Sequence, residues 1–195
     1  TFLLFLAAAS LIAVSPGPGL FYVAARTIAG GRAEGLASSF GTALGGLVHV
    51  VAGAVGVSAI VTASAEAFTV LKLVGAAYLV WLGLKTLREA RVPFAAAEAA
   101  TGHTKAFRDG IVVEALNPKT AAFFLAFLPQ FVDPSSGPVW LQFVALGTIS
   151  VLLNTAVDVG VVFLAARARM LATSRPALLR RLRQGSGAMI ACLGV

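Results

Sequence analysis

The first 25 residues of the sequence, Thr1 to Ala25, contain no charged side chain, and neither do residues Gly35 to Ala65. A helix needs about 20 apolar residues to cross the ~30 Å hydrocarbon core of a bilayer. Hydrophobic residues make up 58% of the chain and charged ones 12%, against about 45–50% and about 25% in soluble domains. The apolar runs are continuous, which favours helices over the alternating strands of a barrel. The sequence therefore predicts an all-α membrane protein.

The apolar runs predict six transmembrane helices. The last run is short: its twelve residues would cover only about 18 Å. We therefore expect the sequence to be trimmed at both ends and the natural protein to continue past Val195. The first run lacks a basic segment and a cleavage site, so it is predicted to be a retained span and not a signal peptide. The predicted spans are Thr1–Ala25, a span within Gly35–Ala65, Ala67–Leu87, Phe107–Phe131, Val139–Ala166 and Gln184–Val195.

Most of the basic residues fall in three of the five predicted loops. The net charge is +7, but these residues sit between apolar spans, so nucleic-acid binding is excluded. The positive-inside rule places loops 1, 3 and 5 in the cytoplasm and both termini outside. The loop residues are Arg26 and Arg32 in loop 1, Lys85, Arg88, Arg91, Lys105 and Arg108 in loop 3, and Arg167, Arg169, Arg175, Arg180, Arg181 and Arg183 in loop 5.

Residues 91–106 form the only plausible linker and divide a single transmembrane domain, 1–195, into two halves. The first repeat is predicted at 1–90 and the second at 107–195, truncated at its C-terminal end. A short internal similarity supports the division, since Lys72-Leu-Val-Gly-Ala76 resembles Gln184-Gly-Ser-Gly-Ala188. Three spans per half would make the two repeats inverted relative to each other, as in many transporters.

The first span of each predicted half is interrupted by proline. Ser15-Pro16-Gly17-Pro18-Gly19 lies in span 1 and Asn117-Pro118-Lys119 in span 4. Each proline withholds a helix hydrogen bond from the carbonyl four residues earlier, and glycine lowers the resistance to unwinding. A matched pair of broken helices is the best sequence indication of a transporter binding site. The alternative is that these prolines only kink their helices.

Three ionisable residues lie at predicted membrane depth: Glu114, Lys119 and Asp158. Such residues are costly in a bilayer and usually face the interior of the bundle. Lys119 is predicted to pair with Asp158 or to hold a substrate carboxylate. Asn154 and Asp158 are four residues apart on one helix face, where they can accept hydrogen bonds from a substrate amine or take a proton. The alternative is a Lys–Asp ion pair that only clamps spans 4 and 5.

Other chemistry is not indicated. His49, in span 2, is predicted to bond one helix to another, with a proton relay as the alternative. Two histidines and the single Cys192 do not form a metal site or a redox pair, and no phosphate-binding loop is present. We therefore predict no enzyme activity and no cofactor, with an ion gradient as the energy source.

At these positions the sequence resembles the lysine exporter (LysE/RhtB, homoserine/threonine) family. The resemblance implies six-helix exporters of amino acids and their derivatives in the bacterial inner membrane, driven by proton exchange, and leaves a homodimer open. The matching segments are Ser15–Pro18, Gly35–Gly45, Lys72–Leu79, Leu82–Gly83, Phe107–Gly110, Leu116–Lys119 and Phe124–Phe131, with an aspartate at Asp158.

The sequence departs from the family pattern in two places. The family usually has Asn or Asp where this chain has Gly19. The aromatic residue usual shortly after the span-5 aspartate is not obvious here, with Val161 and Val162 nearby. The first departure suggests a less polar cargo. Two other functions are alternatives. A cation or metal exporter of similar architecture would need a metal-binding cluster. A non-transporting membrane scaffold is disfavoured by the buried charges.

Overall fold

The computed structural model describes residues 2–74, 76–77 and 100–174, and every regular element in these ranges is helical. The helices are α1 (Phe2–Val14), α2 (Pro18–Gly30), α3 (Arg32–Ala63), α4 (65–74), α5 (His103–Ala115), α6 (Pro118–Ala122) and α7 (Val139–Ser174). A π-helical turn, Phe123–Phe127, and a 3-10 turn, Leu128–Phe131, extend α6, and a second 3-10 turn, Pro134–Ser136, precedes α7.

Four of the six predicted spans have counterparts in the described residues. α3 and α7 are unbroken and long and apolar enough to cross a membrane. α1 and α2 form a pair bent by 48°, and α5 and the extended α6 form a pair bent by 43°, so each pair can be one broken span. Span 3 is described only where α4 begins it. Span 6, linker residues 91–99 and most of the internal similarity lie outside the described residues.

The predicted loop 1 is shorter than the sequence suggested. Arg26, predicted in that loop, lies inside α2 and is only 5% exposed. Its guanidinium lies 5.6 Å from the ring centroid of Tyr22, so the helix continues because its charge has a packed position. Gly31 alone joins α2 to α3, and its φ of 82° gives the tight turn that only glycine adopts readily.

Other predicted loop residues also belong to helices. Arg167 and Arg169 lie in α7, which runs to Ser174 and not to Ala166, while Lys105 and Arg108 lie in the first turns of α5. Long basic side chains reach the polar interface from a helix end. Helices can therefore continue past the hydrocarbon core where the charge pattern alone suggested loops.

α3 lies at the centre of the described bundle and approaches α5 almost backbone to backbone. A Cβ at Gly41 would lie 2.1 Å from the carbonyl oxygen of Phe107, and a Cβ at Gly110 would lie 2.7 Å from that of Ser38. Side chains would therefore force these helices apart. Small residues at such interfaces are the usual means of close packing between membrane helices. The glycine run of α3, Gly41 to Gly46, is used in this way.

An aromatic cluster fills the space between α1, the extended α6 and α7. Phe5 and Phe143 are fully buried, and Phe5 meets Phe131 edge-on with ring centroids 5.4 Å apart. Phe124 lies between Phe123 and Phe143, at 5.3 Å and 6.1 Å. The cluster packs against the part of α3 that follows its glycine run.

The turn before α7 is ordered by Asp133, which lies in a predicted loop without basic residues. Its carboxylate accepts hydrogen bonds from the hydroxyl groups of Ser135 and Ser136 and from the backbone N–H of Ser135. These bonds hold the pKa of Asp133 below its ordinary value, and the bond from the Ser135 side chain has the largest effect. The group therefore stays ionised in mildly acidic surroundings.

The opposite end of the bundle is held by Glu34 at the start of α3. One oxygen of this 3% exposed carboxylate accepts from the backbone N–H groups of Thr101 and Gly102, at 3.0 Å and 2.7 Å. Arg26 donates to the hydroxyl of Thr101 at 2.9 Å. The end of the linker is thus tied to both α2 and α3.

We expect Glu34→Ala to destabilise the protein, because two backbone donors would lose a charged acceptor worth roughly 1.5–3 kcal/mol per bond. At roughly 2–4 °C per kcal/mol for a chain of this size, the melting temperature should fall by several degrees in a thermal melt of the purified protein. Glu34→Gln keeps the accepting oxygen and should melt close to the wild type. Equal melting of Glu34→Ala and wild type would show that the tie is weak.

Candidate functional site

The two helix breaks meet in the structure. α1 ends at Val14 and α2 begins at Pro18. Pro16 has no backbone N–H, so it cannot donate a helical hydrogen bond to the carbonyl of Ile12, four residues earlier. The ammonium of Lys119, in the other break, donates to this carbonyl at 2.8 Å and also to the carbonyl of Ser15. A charged group from one broken helix therefore satisfies the freed backbone of the other.

Lys119 does not have the protein partner predicted for it from the sequence. Among the described residues it forms no ion pair with Asp158, whose carboxylate instead accepts from the hydroxyl of Thr42 at 3.0 Å. The stem of Lys119 lies across Gly17, where a Cβ would come within 2.8 Å of its Cδ. The reason is the cost of unpaired carbonyls in a bilayer, which draws the ammonium to the α1–α2 break.

The second break is stabilised by a neighbouring helix. The carbonyl of Glu114, which Pro118 leaves without its helical donor, accepts from the backbone N–H of Asn117 and from Nε2 of His49, each at 3.0 Å. The ring of His49 also stacks on Phe124 at 5.8 Å. His49 is thus a helix–helix hydrogen-bond donor, the first of its two predicted roles.

Asn117 organises both the helix and the acid beside it. Its side-chain oxygen caps α6 by accepting from the backbone N–H of Lys119 at 3.0 Å. Its amide nitrogen donates to one carboxylate oxygen of Glu114 at 2.9 Å, and the hydroxyl of Thr120 donates to the other at 2.5 Å. The Glu114 carboxylate is therefore held in one position.

That position explains the glycine at residue 19. A Cβ on Gly19 would lie 2.3 Å from the nearer carboxylate oxygen of Glu114 and 3.7 Å from the amide nitrogen of Asn117. The space of a side chain at position 19 is therefore occupied by the Glu114 carboxylate. The departure from the family pattern at Gly19 does not leave this place apolar, because an acid from α5 fills it.

Asp158 completes the polar groups on the α7 side. It is 7% exposed and is held by Thr42, as described above. Asn154, one turn earlier, donates its side-chain N–H to the carbonyl of Ser150 at 3.1 Å. Asn154 and Asp158 face the same space, as their spacing predicted.

A cavity of about 40 Å³ lies between these groups, bounded by α3, α7 and both broken pairs. Its volume accommodates about three water molecules. The prolines Pro16, Pro18 and Pro118 do not line it, and instead create the breaks beside it. Seven of the ten predicted site residues do line it, namely Gly17, Gly19, Glu114, Asn117, Lys119, Asn154 and Asp158.

The predicted site residues omit four polar residues that line the cavity: Ser15, Thr42, Thr120 and Thr155. Ser15 stands in the predicted break itself, just before Pro16. Thr42 lies in the glycine run of α3, where small residues are typical of close packing between membrane helices and do not by themselves indicate a site. Thr120 follows Lys119 directly, and its bond to Glu114 depends on the bend between α5 and α6. Thr155 also bonds the backbone of its own helix, so the sequence had no signal to separate it from a structural threonine.

Comparison with known proteins decides the family. The sequence model of the LysE type translocator family matches residues 10–195 of this chain. The chain belongs to the LysE type translocator family. This LysE family member is therefore a membrane protein of a transporter family, and that agrees with the prediction of transport and not of enzyme activity.

Curated relatives support the assignment to the LysE family. An uncharacterized membrane protein of Vibrio cholerae is 34% identical, over 85% of this chain and 80% of the relative. A homoserine/homoserine lactone efflux protein of Salmonella typhimurium is 32% identical, over 84% and 79%. A leucine efflux protein of an Enterobacter species is 29% identical, over 75% and 70%. No solved structure matches the chain.

Proposed function

We propose that this LysE family member is a secondary active exporter of amino acids or small amino-acid derivatives, working by proton antiport. The relatives named above as homoserine/homoserine lactone and leucine efflux proteins support the class of cargo. The cavity between the two helix breaks supports the route. The alternatives considered from the sequence, a metal exporter or a scaffold, have no specific observation in their favour.

The proposal includes an architecture. Six helices in two inverted repeats, 1–90 and 107–195, joined by the linker 91–106, would span the bacterial inner membrane several times with both termini outside. Two bent pairs, each the first span of its half, support this arrangement. A homodimer stays part of the prediction from the family resemblance.

The observation that carries the proposal is the contact between the breaks. Lys119 bridges from the α5–α6 pair to the carbonyls of Ile12 and Ser15 in the α1–α2 pair, beside a cavity that is lined by acids. Non-helical backbone at membrane depth is tolerated where it lines a cavity or is satisfied by protein. Movement of one broken pair against the other would open the cavity to alternate sides, which is how inverted-repeat transporters work.

Counterflow in proteoliposomes tests the proposal. The purified chain is reconstituted, the vesicles are loaded with one unlabelled amino acid at a time, and uptake of the same labelled amino acid is followed. Leucine and homoserine are tested first. We expect at least one amino acid or derivative to enter the proteoliposomes faster than it enters liposomes without the protein. If none in a panel of amino acids, esters and lactones does so, the proposed export function is wrong.

Asp158 is our choice for the proton-carrying group, since its carboxyl is held only by Thr42 among the described residues and lines the cavity. We expect Asp158→Asn to abolish uptake that is driven by a pH gradient and to retain counterflow, because the amide cannot exchange a proton but still fills the space. Asp109→Asn, on α5 outside the cavity, is the control and should keep both activities. A variant Asp158→Asn that still responds to the pH gradient would place proton coupling elsewhere.

A further inference from the structure

The cavity contains more acid than base. Of the described residues that line it, Glu114 and Asp158 carry carboxyl groups and Lys119 alone carries a cationic one. Two of the three ammonium protons of Lys119 are already donated to the carbonyls of Ile12 and Ser15. The lysine is thus committed to the backbone of the break, and the groups left to meet a ligand are mainly acceptors.

The two acids lie near the same turn of α3. Asp158 accepts a hydrogen bond from Thr42. Gly45 lies three residues later on α3, and a Cβ built there would lie 2.8 Å from the Cβ of Glu114. Residues three apart on a helix are neighbours on one face. Both acids therefore line the cavity beside the same turn of α3.

Glu114 is arranged to accept further hydrogen bonds. Asn117 and Thr120 each use one lone-pair position of its carboxylate, which has about four. Its nearer oxygen lies in the space above Gly19, at the first turn of α2. The absence of a side chain at Gly19 is what allows this carboxylate to stand at the break.

Charge balance favours a cationic guest. With both acids ionised the lining carries one net negative charge, which is costly at membrane depth. A proton or one ammonium group would neutralise it, whereas a carboxylate alone would add to the excess. We infer, on the basis of the proposed function, that the cavity recognises its cargo by a primary ammonium group on Glu114 and does not require a carboxylate, so that amines without a carboxyl group are ligands.

Matched ligands test the inference by isothermal titration calorimetry on the full chain in nanodiscs. Leucine, isopentylamine and isocaproate share the isobutyl side chain and the α-carbon, and they differ in having both charged groups, the ammonium alone or the carboxylate alone. Alanine, ethylamine and propionate form a second, smaller set. We expect each amine to bind within about threefold of its amino acid, and neither carboxylate to bind.

Variants identify the group responsible. Glu114→Gln should weaken amine binding at least tenfold, Glu114→Asp should retain part of it, and Asp109→Asn should leave it unchanged. Binding of the carboxylates without the amines, binding by none of the six ligands, or unchanged amine affinity in Glu114→Gln would each overturn the inference. The wild-type comparison decides the matter even where a variant does not fold.

The two proposals fail separately. Amine binding without any flux in proteoliposomes would refute the export function and leave ammonium recognition intact. Counterflow that isocaproate inhibits and isopentylamine does not would refute ammonium recognition and support export.

Discussion

Gly19→Ala is expected to reduce transport to the level of liposomes that contain no protein. The added Cβ would lie 2.3 Å from a carboxylate oxygen of Glu114, which two hydrogen bonds from Asn117 and Thr120 prevent from moving away. Overpacking of this kind costs about 1–3 kcal/mol, and here it would also displace the acid from the break. Counterflow and thermal melting of the same preparation measure both effects.

Gly56→Ala is the matched control for this prediction, because no atom of another described element lies within 4 Å of a Cβ at that position. It should melt and transport like the wild type. The double variant Gly19→Ala/Glu114→Ala removes the colliding carboxylate and should recover the melting temperature that Gly19→Ala loses, though not the transport. Equal and additive losses in the double variant would show that Gly19 and Glu114 do not interact.

Lys119→Met is expected to cause the second large effect, a loss of both stability and transport. Methionine keeps an apolar stem over Gly17 but leaves the carbonyls of Ile12 and Ser15 without their ammonium donor. A hydrogen bond to a charged group contributes roughly 1.5–3 kcal/mol, and two are removed. A thermal melt should therefore shift downward by more than for any single neutral hydrogen bond.

Lys105→Met provides the control for this variant, since Lys105 is exposed on the first turn of α5. It removes the same charge without touching the breaks and should be close to neutral. Should Lys119→Met melt with the wild type and carry the same flux, the contact between the breaks would have no role in holding the two pairs together.

The helix breaks could be predicted from the sequence because their cause is local. Pro16, Pro18 and Pro118 remove backbone donors whatever the rest of the chain does, and the bends of 48° and 43° occur at these positions. The apolar spans were equally local, since a run without charge needs only its own length to cross a bilayer. The ends of the helices were less predictable, because Arg26 has a packed position inside α2 and Arg167 can extend its side chain to the interface from within α7.

The partners of Lys119 could not be predicted, because they lie more than 100 residues away in the chain and are backbone atoms. A sequence indicates that Lys119 carries a charge but not which carbonyls a bend will expose to it. Asp158 was therefore the natural expectation, as the acid at membrane depth in the next predicted span. The structure instead gives Asp158 to Thr42 and Lys119 to Ile12 and Ser15.

Gly19 shows the same limit in another way. From the sequence, a glycine in this place reads as the loss of a polar group and suggests a less polar cargo. The packing of α5 against α2 brings the Glu114 carboxylate into the vacated space, so the polarity is supplied from a distant residue. A missing side chain can be understood only once the neighbour that fills its place is known.

The most direct test of the central claim, export of an amino acid in exchange for protons, is to measure the pH inside proteoliposomes while cargo leaves them. Vesicles are loaded with the amino acid that counterflow identifies and with a pH-sensitive dye, and are then diluted into buffer that lacks the amino acid. The account predicts that the lumen acidifies as the labelled amino acid leaves, and that Asp158→Asn abolishes the acidification. Amino-acid efflux through the wild type with no change in the pH of the lumen would contradict proton antiport.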